Sequence, residues 1–184
     1  LINSWSDVTL ETWLKLIDFE TGTKTEEATE TIAALSDIPK KLIKELSLSD
    51  VAVIMSKVGG LQQKQDTKLK RIIEINGVEY GFHPDLDSIT LGEYADIEQF
   101  IKNGIDSSLP ELMSVLYRPV KLKKNDIYII DSYDGDIRLR AEEMKLMSAE
   151  QVQSALVFFY TLGKVLSEIM PLFLMERLKE TKTQ

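Results

Sequence analysis

Arg71-Ile72-Ile73-Glu74-Ile75-Asn76-Gly77-Val78-Glu79-Tyr80-Gly81-Phe82 is the stretch on which the fold class of this 184-residue chain turns. Two runs rich in β-branched and aromatic residues flank Asn76-Gly77. Both turn residues tolerate positive φ, which a two-residue hairpin turn requires, so the stretch predicts a β-hairpin. A two-stranded hairpin is barely stable by itself and needs a third strand or a covering helix. Ile127 to Ile130 offer that third strand, pairing with the hairpin.

On the N-terminal side the pattern is helical. Leu10, Trp13, Leu14 and Ile17 fall at i, i+3, i+4 and i+7, one apolar stripe of a short helix, and Gly22 lies just beyond it. A second helix is expected from Thr25 to Leu35, with Glu26 and Glu27 in its first turn, where the helix dipole favours them. Ser36 or Asp37 can cap a third that carries Pro39 near its start and Leu42, Ile43 and Leu46 on one face. Ser47 to Asp50 restart a helix bearing Val51, Ile54, Met55 and Val58, which Gly59-Gly60 should end. Pieces of about 8 to 12 residues are marginal alone, so they must pack on one another or on a partner. The polar run Gln62 to Lys68 reads as a linker.

On the C-terminal side, Thr90-Leu91-Gly92-Glu93 is a capping box that opens a helix with Leu91, Tyr94, Ile97, Glu98 and Ile101. Pro110 starts another, filled by Leu112, Met113, Val115, Leu116 and Tyr117 and ended at Arg118-Pro119, because a residue before proline avoids the α region. Asp134-Gly135 reads as a turn. Ser148-Ala149-Glu150-Gln151 caps a last helix running to about Lys179, with Gly163 and Pro171 as kink points. Its run Ala155 to Tyr160 is apolar all round and should be buried; Lys164 and Glu168 interrupt it, which argues against a membrane span. The chain thus reads as α+β and mostly helical. A bundle of short helices fills 1–60. Residues 70–184 hold the hairpin, a third strand and the long kinked C-terminal helix, and the two regions can form one continuous domain.

Composition narrows the function. With 43% apolar and 28% charged residues the chain should bury roughly 70% of its unfolded surface and needs no disulfide or metal to fold. It has no cysteine, which removes thiolate zinc sites, iron–sulfur clusters and thiol nucleophiles and suits a reducing cytoplasm. After Leu1-Ile2-Asn3 there is no basic region followed by an apolar core, so no secretory signal is read. A net charge of −8 argues against a duplex-binding protein and favours solubility. The basic groups Arg118, Lys121, Lys123, Lys124 and Lys64, Lys68, Lys70, Arg71 read as solvated edges or sites for acidic neighbours.

No catalytic constellation stands out. His83 is the only histidine, and beside Pro84 it reads as a packing or hydrogen-bonding residue; Asp85 and Asp87 belong to a loop. Asp131, Asp134 and Asp136 crowd one short segment, but the EF-hand spacing is absent and a turn explains Asp134-Gly135 without an ion. Gly59-Gly60-Leu61 has neither the Walker nor the dinucleotide pattern. If the chain were a carboxylate-dependent hydrolase, Glu93, Glu98, Asp131 and Asp136 would be the candidates, since such pairs are set by space rather than sequence. What remains is interfaces. Aromatic residues, Met and Arg are enriched at protein contacts. Trp5, Trp13, Tyr117, Arg118, Met170, Phe173 and Met175 are the candidates here, with the two tryptophans also serving as core anchors. No cofactor, metal, sequence-specific nucleic acid or membrane partner is expected.

The order of segments carries a resemblance. Asn3-Ser4-Trp5-Ser6-Asp7-Val8-Thr9-Leu10 is followed by short helices and the Ile-x-Ile-Asn-Gly-x-x-Tyr hairpin. Then come Ile89 to Glu98, Leu112-Met113-Ser114-Val115-Leu116-Tyr117-Arg118-Pro119, and Ala155 to Gly163. This resembles small proteins encoded among the structural and assembly genes of tailed bacteriophages, including crAss-like phages. The resemblance implies a virion protein of the neck, tail or head–tail connection that docks to copies of itself or to neighbouring subunits. The alternative it implies is a tail assembly chaperone that does not stay in the particle. It carries no catalytic residue with it.

Overall fold

The hairpin forms as its turn chemistry dictates. Strands β1 (Ile72–Ile75) and β2 (Val78–Phe82) pair antiparallel across Asn76 at φ 51° and Gly77 at φ 78°. The structure is a computed structural model that describes residues 2–18, 22–62, 68–85, 88–125 and 127–157. The expected linker between 62 and 68 lies almost wholly outside these residues, as do the kink points Gly163 and Pro171 and the helix beyond 157.

The fold is α+β and mostly helical, but its sheet has four strands, in the order β1-β2-β3-β4. The strand not expected from the sequence is β3 (Tyr117–Lys124), which pairs with β2 on one side and with β4 (Ile127–Ile130) on the other. Ile127 to Ile130 therefore do form a strand, though not as the direct neighbour of the hairpin. Pro119 ends no chain segment; it sits inside β3 opposite Tyr80. Proline lacks the ladder donor, which confines it to strand edges and irregular places. Here its carbonyl accepts from the Asp131 amide at 2.9 Å, beyond the last paired residue of β4, so its missing N–H falls where that ladder stops. A bulge between Val120 and Leu122 then breaks the apolar alternation that would have announced the strand.

The helices follow their caps. Helix α1 (Leu10–Asp18) presents the expected stripe, and α2 (Lys24–Ala34) is opened by a capping box of Thr23 with Glu26. The third helix, α3 (Lys40–Ile43), is a single turn that starts behind Pro39 with no side-chain cap; Ser36 donates to the Ile32 carbonyl at 2.6 Å and accepts from the Ile38 amide at 3.3 Å, which lies before the helix. Helix α4 (Leu48–Gln62) runs through Gly59-Gly60 rather than stopping there, since glycine weakens a helix without forbidding it. Thr90 caps α5 (Leu91–Asn103), and Pro110 lies in the first turn of α6 (Leu109–Leu116). One further helix, α7 (Arg138–Met144), escaped the sequence reading; Ile137, Ala141 and Met144 give it a spacing of four and three, but its charges mask the pattern. Ser148 and Gln151 form the expected capping box of a last helix that covers 149–157 of the described residues.

The core has its axis in α6, whose apolar side chains are all buried. Ile73, Ile75, Tyr80 and Phe82 of the hairpin close on it from one side; Met144, Met147, Val152 and Ala155 close from another, and Leu10 joins from α1. Phe82 meets Tyr117 edge to face at 5.1 Å. A smaller cluster gathers Trp5, Val8, Leu35, Val58 and Ala149. The start of the chain is also tied by its backbone to residues 145–149. The Leu10 and Glu11 amides donate to Met147 and Lys145 carbonyls at 2.7 and 3.0 Å, and the Ala149 amide donates to the Val8 carbonyl at 2.7 Å. Among the described residues, no helix is long and apolar enough to cross a membrane.

Candidate functional site

Two places stand apart from the core: a buried polar cluster and an apolar face left uncovered by the described residues. The cluster forms where the N-terminus of α5 meets β3. Glu93, the third residue of the Thr90 capping box, accepts the Thr90 amide at 2.7 Å and its hydroxyl at 2.6 Å through Oε2. Its Oε1 lies 2.6 Å from Arg118 Nη1, close but off the N–H line, so this is an ion pair rather than an aligned hydrogen bond. His83 Nε2 stands 3.5 Å from the same oxygen. The Arg118 guanidinium also lies 5.7 Å from the centre of the Tyr133 ring, and the Tyr133 hydroxyl donates to Asp96, one turn after Glu93.

Burial sets the electrostatics here, with Glu93 1% and Arg118 4% exposed. Burial alone would raise the Glu93 carboxyl, but the Thr90 hydrogen bonds, with Arg118 and His83, outweigh it and hold the pKa below its ordinary value. Burial pushes the His83 imidazole down; Glu93 opposes the shift and Arg118 adds to it. Tyr133 is pushed up by burial and by its bond to Asp96. The cluster thus pins α5 to β3 and to the segment after β4 through the Glu93–Arg118 ion pair and the Tyr133–Asp96 bond, while Arg118 Nε and Nη1, Glu93 Oε1 and His83 Nδ1 stay buried without a hydrogen bond among the described residues. A buried pair of this kind is costly to break and says little about net stability.

The carboxylates considered for hydrolysis do not share a cleft. Glu93 is committed to the cap and to Arg118, whereas Glu98 lies on the exposed side of α5, 3.1 Å from Lys102. Asp136 borders a recess of about 490 Å³ beside α7 whose lining includes neither Glu93, Glu98 nor Asp131. Asp134 lies 3.2 Å from Arg140 Nη2. Burial would raise its pKa, but the Arg140 hydrogen bond and the Asp136 amide bring it below normal. Among the described residues, no group of three or more His, Asp or Glu side chains is placed to hold a metal ion.

The interface candidates divide. Trp5, Tyr117 and Arg118 spend their side chains inside the fold, and the Tyr117 hydroxyl donates to the Lys70 carbonyl at 2.7 Å. Trp13 is half-buried between the two apolar clusters. Met170, Phe173 and Met175 lie outside the described residues.

The uncovered face belongs to β3 and β4. Tyr128 and Ile130 turn toward Gly81 and close over it, so Ile127 and Ile129 turn the other way, with Leu122 paired opposite Ile129. That other side is the one on which Tyr80 and Phe82 meet the helices, yet here no helix among the described residues covers it: Leu122 is 64%, Ile127 77% and Ile129 54% exposed. The signal was in the sequence. Ile127-Tyr128-Ile129-Ile130 is apolar on both faces of a strand, a pattern of strands covered on both sides. The recess beside α7 adjoins this face, since Pro119 and Tyr80 form part of its wall and the exposed Leu139 part of its rim. A second groove, of about 640 Å³, runs between α2, α3 and α4 over Ile32, Ile43 and Leu46. In comparisons with known proteins, no family model matches the chain, and neither the curated proteins nor the solved structures give a match.

Proposed function

We propose that this chain is a structural protein of a tailed-bacteriophage particle, at the neck, tail or head–tail connection, and that it works through protein–protein contacts. The observation that carries the contact reading is the bare apolar strip of Leu122, Ile127 and Ile129. Burying such side chains is worth about 1.5–3 kcal/mol each, a strong incentive for a partner to cover them. Contiguous apolar patches of this kind mark interaction surfaces. The buried cluster gives a rival enzymatic reading little support, because its carboxylate Glu93 is taken up by the Thr90 cap and the Arg118 ion pair. The assignment to a phage rests on the resemblance in segment order. Mass spectrometry of purified particles of the encoding phage is expected to find the protein, and its absence would remove it from the virion. Ile127→Glu with Ile129→Glu should leave the fold intact while blocking incorporation.

A further inference from the structure

Glycine follows Asn76, Asn103 and Asp134, and in each case the side-chain carbonyl carbon lies within reach of the next backbone nitrogen, which no Cβ shields. The structure separates the three. At Asn103, the last residue of α5, the Gly104 amide donates to the Ile101 carbonyl at 3.2 Å, and Gln99 Nε2 donates to Asn103 Oδ1 at 3.0 Å. The nitrogen keeps its proton in that bond, and the side chain is drawn back along the helix, away from Gly104. At Asp134, Oδ1 accepts from the Asp136 amide at 3.0 Å and from Arg140 Nη2 at 3.2 Å. A carboxylate held ionised in this way resists attack by an amide nitrogen. Asn76 has neither protection. Its turn is exposed, and the Gly77 amide makes no hydrogen bond among the described residues. Its tie to the rest of the fold is a solvent-exposed bond from Asn76 Nδ2 to Glu143 Oε2 of α7, at 3.1 Å.

We propose that Asn76 is a site of self-modification, where the Gly77 nitrogen and water convert the side-chain amide to a carboxylate and so release the hairpin tip from α7. The Gly77 nitrogen gives its proton to solvent base, and its electron pair bonds to Asn76 Cγ. The Cγ–Nδ2 bond breaks, and the amide nitrogen takes a proton from solvent and leaves as ammonia. Water then opens the cyclic imide. Attack at Cγ yields aspartate on the original backbone; attack at the main-chain carbonyl yields isoaspartate, with the backbone routed through the side chain. Asn76 must first swing out of its left-handed turn at φ 51°, so the reaction runs through brief openings of the hairpin tip, which exposed loops undergo at little cost. Either product sets a negative charge opposite Glu143, where Asn76 had offered a donor.

The test incubates the full chain in mildly alkaline buffer, beside a sample in urea, and follows its peptides by mass spectrometry. In urea, where the fold is gone, Asn76 and Asn103 should convert at similar rates. In buffer Asn76 should lead several-fold, and Asp134 should gain no isoaspartate. Glu143→Ala, which frees the Asn76 amide, should speed conversion at Asn76 and leave Asn103 unchanged. Asn76→Asp should lower the melting temperature, and Glu143→Gln added to the same chain should recover the loss, a rescue that general damage could not give. Native Asn76 converting no faster than Asn103, or staying intact while the urea sample reacts, overturns the inference. An Asn76→Asp chain as stable as wild type, or a loss that Glu143→Gln does not recover, overturns the release from α7.

Discussion

Gly81 shows how one missing side chain shapes the sheet. A Cβ built there would lie 2.5 Å from the Tyr128 ring and 2.8 Å from Ile130 Cγ2, distances that real carbon atoms do not adopt. The Tyr128 hydroxyl also donates to the Phe82 carbonyl at 2.6 Å, so the ring cannot retreat without losing a buried hydrogen bond. Gly81→Ala should therefore cost about 3 kcal/mol, the upper part of the range for overpacking, read as a lowered midpoint in chemical denaturation. An unchanged midpoint would mean that β4 does not close over β2. A glycine inside a strand is a known sign of close approach, so this position was legible as special. What approached it was not, because the partners lie more than forty residues away.

At the level of elements, α4 offers the sharpest test of local rules. Gly59 and Gly60 are exposed, have no positive φ, and a Cβ at either would meet nothing within 4 Å. Alanine at both should raise stability by about 1 kcal/mol, chiefly by restricting the unfolded chain, and thermal unfolding measures it. A fall would mean that the helix ends before them. Helices with a stripe or a cap were readable from the sequence: α1, α2, the Thr90 box of α5 and the Ser148 box all rest on spacing within a few residues. Strand β3 was not readable, because its lysines and its bulge hide the period, and because α6 passes into it with no loop between. The polar cluster was half legible. Glu93 stood out for its cap and Arg118 for its charge, but their meeting depends on β3 lying beside β2, which no local signal reveals.

For the molecule as a whole, the buried titratable groups set a direction with pH. Both His83 and Glu93 have folded pKa values below their unfolded ones, so between those values the unfolded chain binds more protons. Their stabilisation is present above the unfolded values and is lost as pH falls. The decline should begin near pH 6.5, where a free histidine titrates, and continue through the carboxylate range. Melting temperatures taken at descending pH should fall accordingly, and His83→Gln should flatten the first part of the decline. A melting temperature that stays level or rises in that upper stretch would contradict the burial of a neutral His83. The backbone ties between residues 8–11 and 145–149 have a further consequence, in time rather than in space. During synthesis at roughly 5–20 residues per second, Leu10 emerges on the order of ten seconds before the carbonyl that will receive its amide. The first helices must wait in that interval with Leu10 cut off from Met144, Met147 and Val152 of its core, so nascent chains stalled before residue 145 should be the form of this protein most in need of a chaperone.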